Sequence, residues 1–176
     1  LTVRTLITLF FAIMLSNGVA AHAEKNDVAL GTQSKADLLV VLKDHRRLVL
    51  MRGDRVIKVS RIALGRYPRG HKVQKGDAKT PEGKYTVDYR LDSDKSKFYL
   101  ALHISYPNRE DSARARQLGV DPGGQIMIHG LPTNWSAEDV GHPRLDWTQG
   151  CIALTNREMD QLWKMVDDGT TIEIYP

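Results

Sequence analysis

The sequence predicts a mainly β domain with a few short helices. Short apolar or alternating runs recur through its first two thirds, turn residues divide them, and one strongly periodic helical stretch stands near the end.

Taken in order, "DLLVVLK", "RLVLMR" and "RVIKVSRIALG" are split by "DHR" and by Gly53-Asp54. They predict an antiparallel meander whose second junction is a tight hairpin. "KYTVDYRL", "FYLALHISY" and "GQIMIHG" continue the strands, each bounded by Gly, Pro, Asp or Asn. "REDSARARQL", from Arg109 to Leu118, lacks breakers and is mostly polar, which predicts a surface helix. Met159, Leu162, Trp163 and Val166 fall at i, i+3, i+4 and i+7, the signature of a helix with one face in the core. Thr155 and Glu158 have capping-box spacing at its start, and Gly169 is expected to end it. "TTIEIYP" predicts a last strand, and no internal repeat appears.

The first residues predict an address rather than a fold. Arg4 precedes an apolar run from Leu6 to Leu15, followed by small residues up to Ala21-His22-Ala23, so residues 1–23 read as a secretory signal peptide. The run is short of the ~20 residues that span a bilayer, so no stable membrane span is expected once the signal is cleaved. Residues 24–35 read as a polar, flexible tether, and residues 36–176 as one domain. The expected location is periplasmic.

Charge is a modest guide: 25 basic against 21 acidic residues give a net +4, with the basic excess concentrated between Lys43 and Lys75. Outside the cytoplasm nucleic acid is not the expected partner; wall polymers, anionic lipid heads or carboxylate-bearing peptides are. The plainer reading makes these cations the solvated faces of alternating strands.

Chemistry centres on Cys151, the single cysteine, which cannot form a disulfide within its own chain. A free thiol in an exported protein is either a nucleophile or a small buried apolar residue. As a nucleophile it needs a base, because a thiol near its ordinary pKa of about 8.5 is mostly protonated at neutral pH. His129 ends an apolar run beside Gly130 and is the candidate. Glycines next to both residues admit close backbone approach, and the N–H groups around Gln149, Gly150 and Cys151 predict an oxyanion hole. A zinc site from His103, His129, His142 and Cys151 is conceivable but lacks short ligand spacings, so no metal or cofactor is expected. His142 itself reads as a solvated loop residue.

"IMIHG" followed by "TQGC" resembles the signature of the YkuD-type L,D-transpeptidases, in which His-Gly precedes a spacer, Ser or Thr, usually His, and then Gly-Cys. "GHKVQKGDAKTPEGKY", "HISYPNRED" and "DWTQGCIALTN" extend the likeness over most of the mature chain and resemble an exported Gram-negative subgroup. The resemblance implies a β-sandwich-like catalytic domain with a cleft under a flap. It makes Cys151 the nucleophile, His129 the base, the Gly130 carbonyl the group that orients the imidazole, and Gly150 with Cys151 the oxyanion donors. Thr148, Gln149, Trp147 and Asn156 would line the substrate. Trp135 and Trp147, in the wall loop from Leu131 to Trp147, would pack on a stem peptide or glycan, or hold the loop together.

Two positions depart from the pattern: Gln149 replaces the usual histidine, and Ala153 replaces a common arginine. The implied activity is peptidoglycan transpeptidation through a thioester, with stem peptides as partners and a wall-attached lipoprotein as a further one. Two alternatives stay open. One is a cysteine hydrolase of the same fold that trims crosslinks or releases a wall-bound lipoprotein; the other is a non-catalytic wall-binding module.

Overall fold

The structure, a computed structural model, describes residues 34–176. The expected signal and all but the end of the tether lie outside the described residues. Eight strands and two helices follow in the order β1 (Leu38–Leu42), β2 (Arg47–Arg52), β3 (Arg55–Arg61), β4 (Gly83–Leu91), β5 (Ala101–Ile104), α1 (Arg109–Leu118), β6 (Met127–His129), β7 (Ile152–Ala153), α2 (Asn156–Met165) and β8 (Thr171–Tyr175). The mainly β expectation holds.

The first three strands form the expected meander, with Gly53 turning the hairpin at a φ of 55°. The sheet then departs from sequence order and runs β3-β2-β1-β8-β4-β5-β6-β7. β8 lies parallel to β1 and antiparallel to β4, and β7 lies parallel to β6. Past β3 the chain reaches the opposite edge, where Ala63 N–H donates to Ala153 O at 3.0 Å and Ala153 N–H donates to Ala63 O at 2.8 Å. The sheet thus curls until its two ends meet, which covers edge groups that would otherwise invite aggregation.

Leu39, Leu48, Leu50, Val87, Leu102, Ile104, Ile128, Ile152 and Ile172 fill the interior of the curl, and α2 packs Met159, Leu162, Met165 and Val166 against them. Burying each such side chain contributes roughly 1.5–3 kcal/mol. The capping box of α2 forms as expected: Thr155 Oγ1 accepts from Glu158 N–H, and the Glu158 carboxylate accepts from Thr155 N–H. The helix stops earlier than expected, because Val166 is already extended at φ −116° and ψ 129°; Gly169, at φ 91°, turns the chain into β8 instead. Trp163 flanks the core under the guanidinium of Arg90, 4.8 Å from the ring centroid.

α1 spans the expected residues, capped by Asn108 and by Gly119 in the left-handed conformation. It is not wholly a surface element. Asp111 turns inward and accepts from Tyr85 OH at 2.9 Å, with His71 Nε2 3.0 Å from its other oxygen. These contacts and the Asn108 N–H hold the carboxyl below its usual range although burial opposes them.

The basic stretch needs a correction, since two of its cations are buried. Lys43 donates to Glu82 Oε1 at 2.7 Å and to the carbonyls of Gly70 and Thr80. Lys72 donates to Asp77 Oδ1 at 2.8 Å and to Gln74 O. A buried cation persists where partners replace water; Lys43, next after β1, pins the 70–82 segment to the sheet, and Lys72 closes a turn within that segment. Arg52, Arg55, Arg61, Arg66 and Arg69 are exposed as expected.

Candidate active site

Strand alternation sorts the residues of β5 to β7 onto two faces. Leu102, Ile104, Ile128 and Ile152 enter the core. Ala101, His103, Met127, His129 and Ala153 alternate to the other face, and Cys151, one step before Ile152, joins them. Cys151 and His129 therefore share a face on neighbouring parallel strands.

His129 is fully buried. Its Nδ1 lies 2.6 Å from Gly130 O; a carbonyl can only accept, so Nδ1 carries the proton and Nε2 the lone pair. Phe98 stacks on the ring at a centroid distance of 3.8 Å, and Trp147 meets it edge-on at 5.8 Å. Nε2 is buried without a hydrogen-bond partner. Burial pushes the imidazole pKa down to about 4, against the Gly130 carbonyl and with a small push from His142. The ring is a neutral base with its lone pair unclaimed.

Cys151 is half-buried, and its thiol donates to Gln125 O at 3.7 Å. Burial pushes its pKa up, while the Met127 N–H and the Lys72 ammonium pull the other way. The thiol is not hydrogen-bonded to His129; it is turned toward the Gln125 carbonyl. Contacts of this kind commonly tighten when substrate binds.

The turn before the cysteine is held by its own residues. Thr148 is buried; its Oγ1 accepts from Gly150 N–H at 3.0 Å and donates to Cys151 O at 2.8 Å. Gly150 sits at φ 131°, and a Cβ there would lie 2.6 Å from Lys79 O, so glycine is required twice over. The expected oxyanion donor at Gly150 is thus already committed to the Thr148 hydroxyl.

Gly130 is required by close approach: a Cβ would lie 2.5 Å from Tyr99 O and 2.7 Å from Asn156 Oδ1. Asn156 accepts from Leu131 N–H at 2.8 Å, which makes it a fastener behind the histidine rather than a group facing the cleft. Trp147 buttresses the imidazole, and Gln149 is exposed.

The wall loop is anchored where Asp146 takes bonds from Arg46 Nε and from Leu64 N–H at 2.9 Å. Trp135 is exposed, whereas His142, expected in solvent, is buried with both ring nitrogens unpartnered. Burial lowers its pKa. The ring stands beside Arg61, Thr155 and Glu158, residues distant in sequence, which the loop's own composition does not announce. Among the described residues no three His, Cys, Asp or Glu side chains converge to hold a metal, so the conceivable zinc set does not assemble.

Sequence reasoning missed Phe98, Gln125 and Lys72. Phe98 opens the run "FYLALHISY" and Lys72 lies inside a family-like segment, so both carried a signal; Gln125 acts here through its backbone and carried none.

This architecture is that of an enzyme class, the L,D-transpeptidases. The model of the YkuD family, described as the L,D-transpeptidase catalytic domain, matches residues 35–174, and the chain belongs to that family. Over 114 residues it is 29% identical to YafK of Escherichia coli strain K12, an alignment covering 61% of this chain and 39% of the relative's length. Among solved structures it resembles the helical cell shape determining protein Pgp2 of Campylobacter jejuni, with a TM-score of 0.61 and 24% identity over 83% of this chain and 51% of that one. It also resembles L,D-transpeptidase 3 of Mycobacterium tuberculosis in complex with a faropenem-derived adduct, with a TM-score of 0.53 and 17% identity over 80% of this chain and 60% of that one. These two likenesses concern the fold. Among the described residues no helix is long and apolar enough to cross a membrane.

Proposed function

We propose that the chain is a periplasmic peptidoglycan L,D-transpeptidase that works through a Cys151 thioester. The observation that supports this most is His129, sealed, neutral and held in one tautomer by Gly130, on the same sheet face as the thiol. In this reading residues 1–23 are a signal peptide, residues 24–35 a tether and residues 36–176 the catalytic domain. Cys151 swings from Gln125 O toward His129 Nε2 and gives up its proton. The thiolate attacks the carbonyl of a diaminopimelate-type residue in a tetrapeptide stem; D-alanine leaves with the proton from His129, and the stem stays on sulfur. With Gly150 N–H committed to Thr148, the Cys151 N–H is the backbone donor for the oxyanion. An amine then resolves the thioester: another diaminopimelate gives a crosslink, and the lysine of a lipoprotein gives an attachment. The 70–82 segment and the wall loop flank the stem peptide.

Purified wall sacculi incubated with the protein should yield new crosslinked muropeptides by mass spectrometry. Cys151→Ala and His129→Ala should abolish them while leaving a cooperative unfolding transition. Normal product from either variant sinks the proposal, and products that are only trimmed favour the hydrolase reading.

A further inference from the structure

The turn from Lys72 to Lys79 is built around one carboxylate. Asp77 Oδ1 accepts from Lys72 Nζ at 2.8 Å and from Lys79 N–H at 3.1 Å, while Oδ2 accepts from Val73 N–H at 2.8 Å and from Gln74 N–H at 3.1 Å. Burial would raise this carboxyl, but Lys72 and the three N–H groups hold it below its usual range. Lys72 is 3% exposed and also donates to Gln74 O at 3.0 Å. The loop closed in this way carries Ala78 at a φ of 52°, a left-handed conformation that alanine does not keep unaided.

The same turn is wedged against both segments that frame the thiol. On one side Lys79 O stands so close to Gly150, the residue before Cys151, that a Cβ there would lie 2.6 Å away. On the other side Lys75 N–H donates to Asp121 O at 2.7 Å, and a Cβ on Gly123 would lie 3.2 Å from Lys75 Cα. Two residues further on is Gln125, whose carbonyl receives the Cys151 thiol at 3.7 Å. The Lys72 ammonium also acts on the thiol through space, favouring its charged form against burial. His129, on β6, is neutral and adds no charge, and Lys75 and Asp121 offset each other at the exposed rim.

We propose that Asp77 and Lys72 are positioning residues for the acylation of Cys151: Asp77 gathers the turn that holds the sulfur's frame between Gln125 and Gly150, and Lys72 sets a buried positive charge against it. This deepens the thioester reading above and rests on it. Neither residue makes or breaks a bond. Asp77 supplies place, and Lys72 supplies charge that Asp77 partly offsets.

Two readouts separate these tasks: alkylation of Cys151 by uncharged iodoacetamide across pH, which reads the thiolate, and acylation by a tetrapeptide stem followed by intact-protein mass. Lys72→Met should move the alkylation midpoint to higher pH and slow alkylation roughly fivefold at pH 8, because losing a positive neighbour disfavours the thiolate. A turn that had merely loosened would speed alkylation without moving the midpoint. Lys72→Arg should restore the wild-type midpoint. Asp77→Asn should move the midpoint to lower pH, since the lysine charge is then unopposed, yet slow stem acylation on the order of 100-fold. Should Asp77→Asn lack a cooperative unfolding transition, the double variant with Lys72→Met, which leaves no buried charge unpaired, takes its place and should combine a higher midpoint with slow acylation. An unchanged midpoint in Lys72→Met, or stem acylation at the wild-type rate in the folded Asp77 variant, overturns the inference. A wild type that alkylates normally but forms no acyl-enzyme removes the thioester reading instead, and the midpoints still decide whether Lys72 acts on the sulfur.

Discussion

The two faces of β5, β6 and β7 are built by different rules. Toward the interior Leu102, Ile104, Ile128 and Ile152 are held by contact area, which other apolar side chains of similar volume also supply. Toward the site the requirements are positional: Gly130 and Gly150 leave no room for a Cβ, His129 has one ring nitrogen assigned, and Thr148 ties Gly150 to Cys151. One face determines how firmly the sheet holds, and the other where a few atoms stand upon it.

Gly150→Ala should break this comparison hardest if it is wrong. The new methyl meets Lys79 O at 2.6 Å in a backbone conformation that alanine resists, so turnover should fall on the order of 100-fold and stability by roughly 3 kcal/mol. Normal muropeptide output from this variant would show that the turn is not a fixed support.

Leu102→Ala tests the other face: stability measured by urea unfolding should fall by about 2–5 kcal/mol, while turnover per folded molecule stays near wild type. A selective loss of turnover would mean that the faces are not independent.

His129 links the faces through pH. Its folded pKa, near 4, is below the unfolded value of about 6.5, so its contribution to stability is complete above pH 6.5 and is lost as pH falls toward 4, because the unfolded chain takes a proton that the folded ring refuses. The loss should be on the order of 3 kcal/mol, and urea unfolding of His129→Gln should lack that slope. An equal slope in the variant would place the titration elsewhere.

Gln149→His should have the smallest effect, because the side chain is exposed; crosslink formation should change less than about threefold. A larger gain would mean that an imidazole at that position still finds work.

The same division governs what could be read from the chain. Period-two and period-3.6 patterns record burial, so the meander and α2 were legible to within a few residues, while α1 showed as a stretch without breakers and the capping box as a spacing. The two-residue β7 was not, because a strand that short has no period, and the place of β8 depends on long-range pairing that local pattern does not encode. That Cys151, His129 and Gly130 come together was legible as motif. The commitment of Gly150 N–H to Thr148, the seal of Phe98 over His129 and the inward turn of His142 and Lys72 were not, because each depends on which loop closes over which strand.

The position of β8 also constrains how the protein comes into being. Along one side, β1–β3 and β4–β7 meet in the sheet through Thr171–Tyr175 alone, so while those residues are still being synthesised the two halves share only the short contact at Ala63 and Ala153. Pairings so distant in sequence form slowly. The nascent chain therefore gains its longest-range sheet pairings only when its closing strand emerges, and the curl closes around the site at that step.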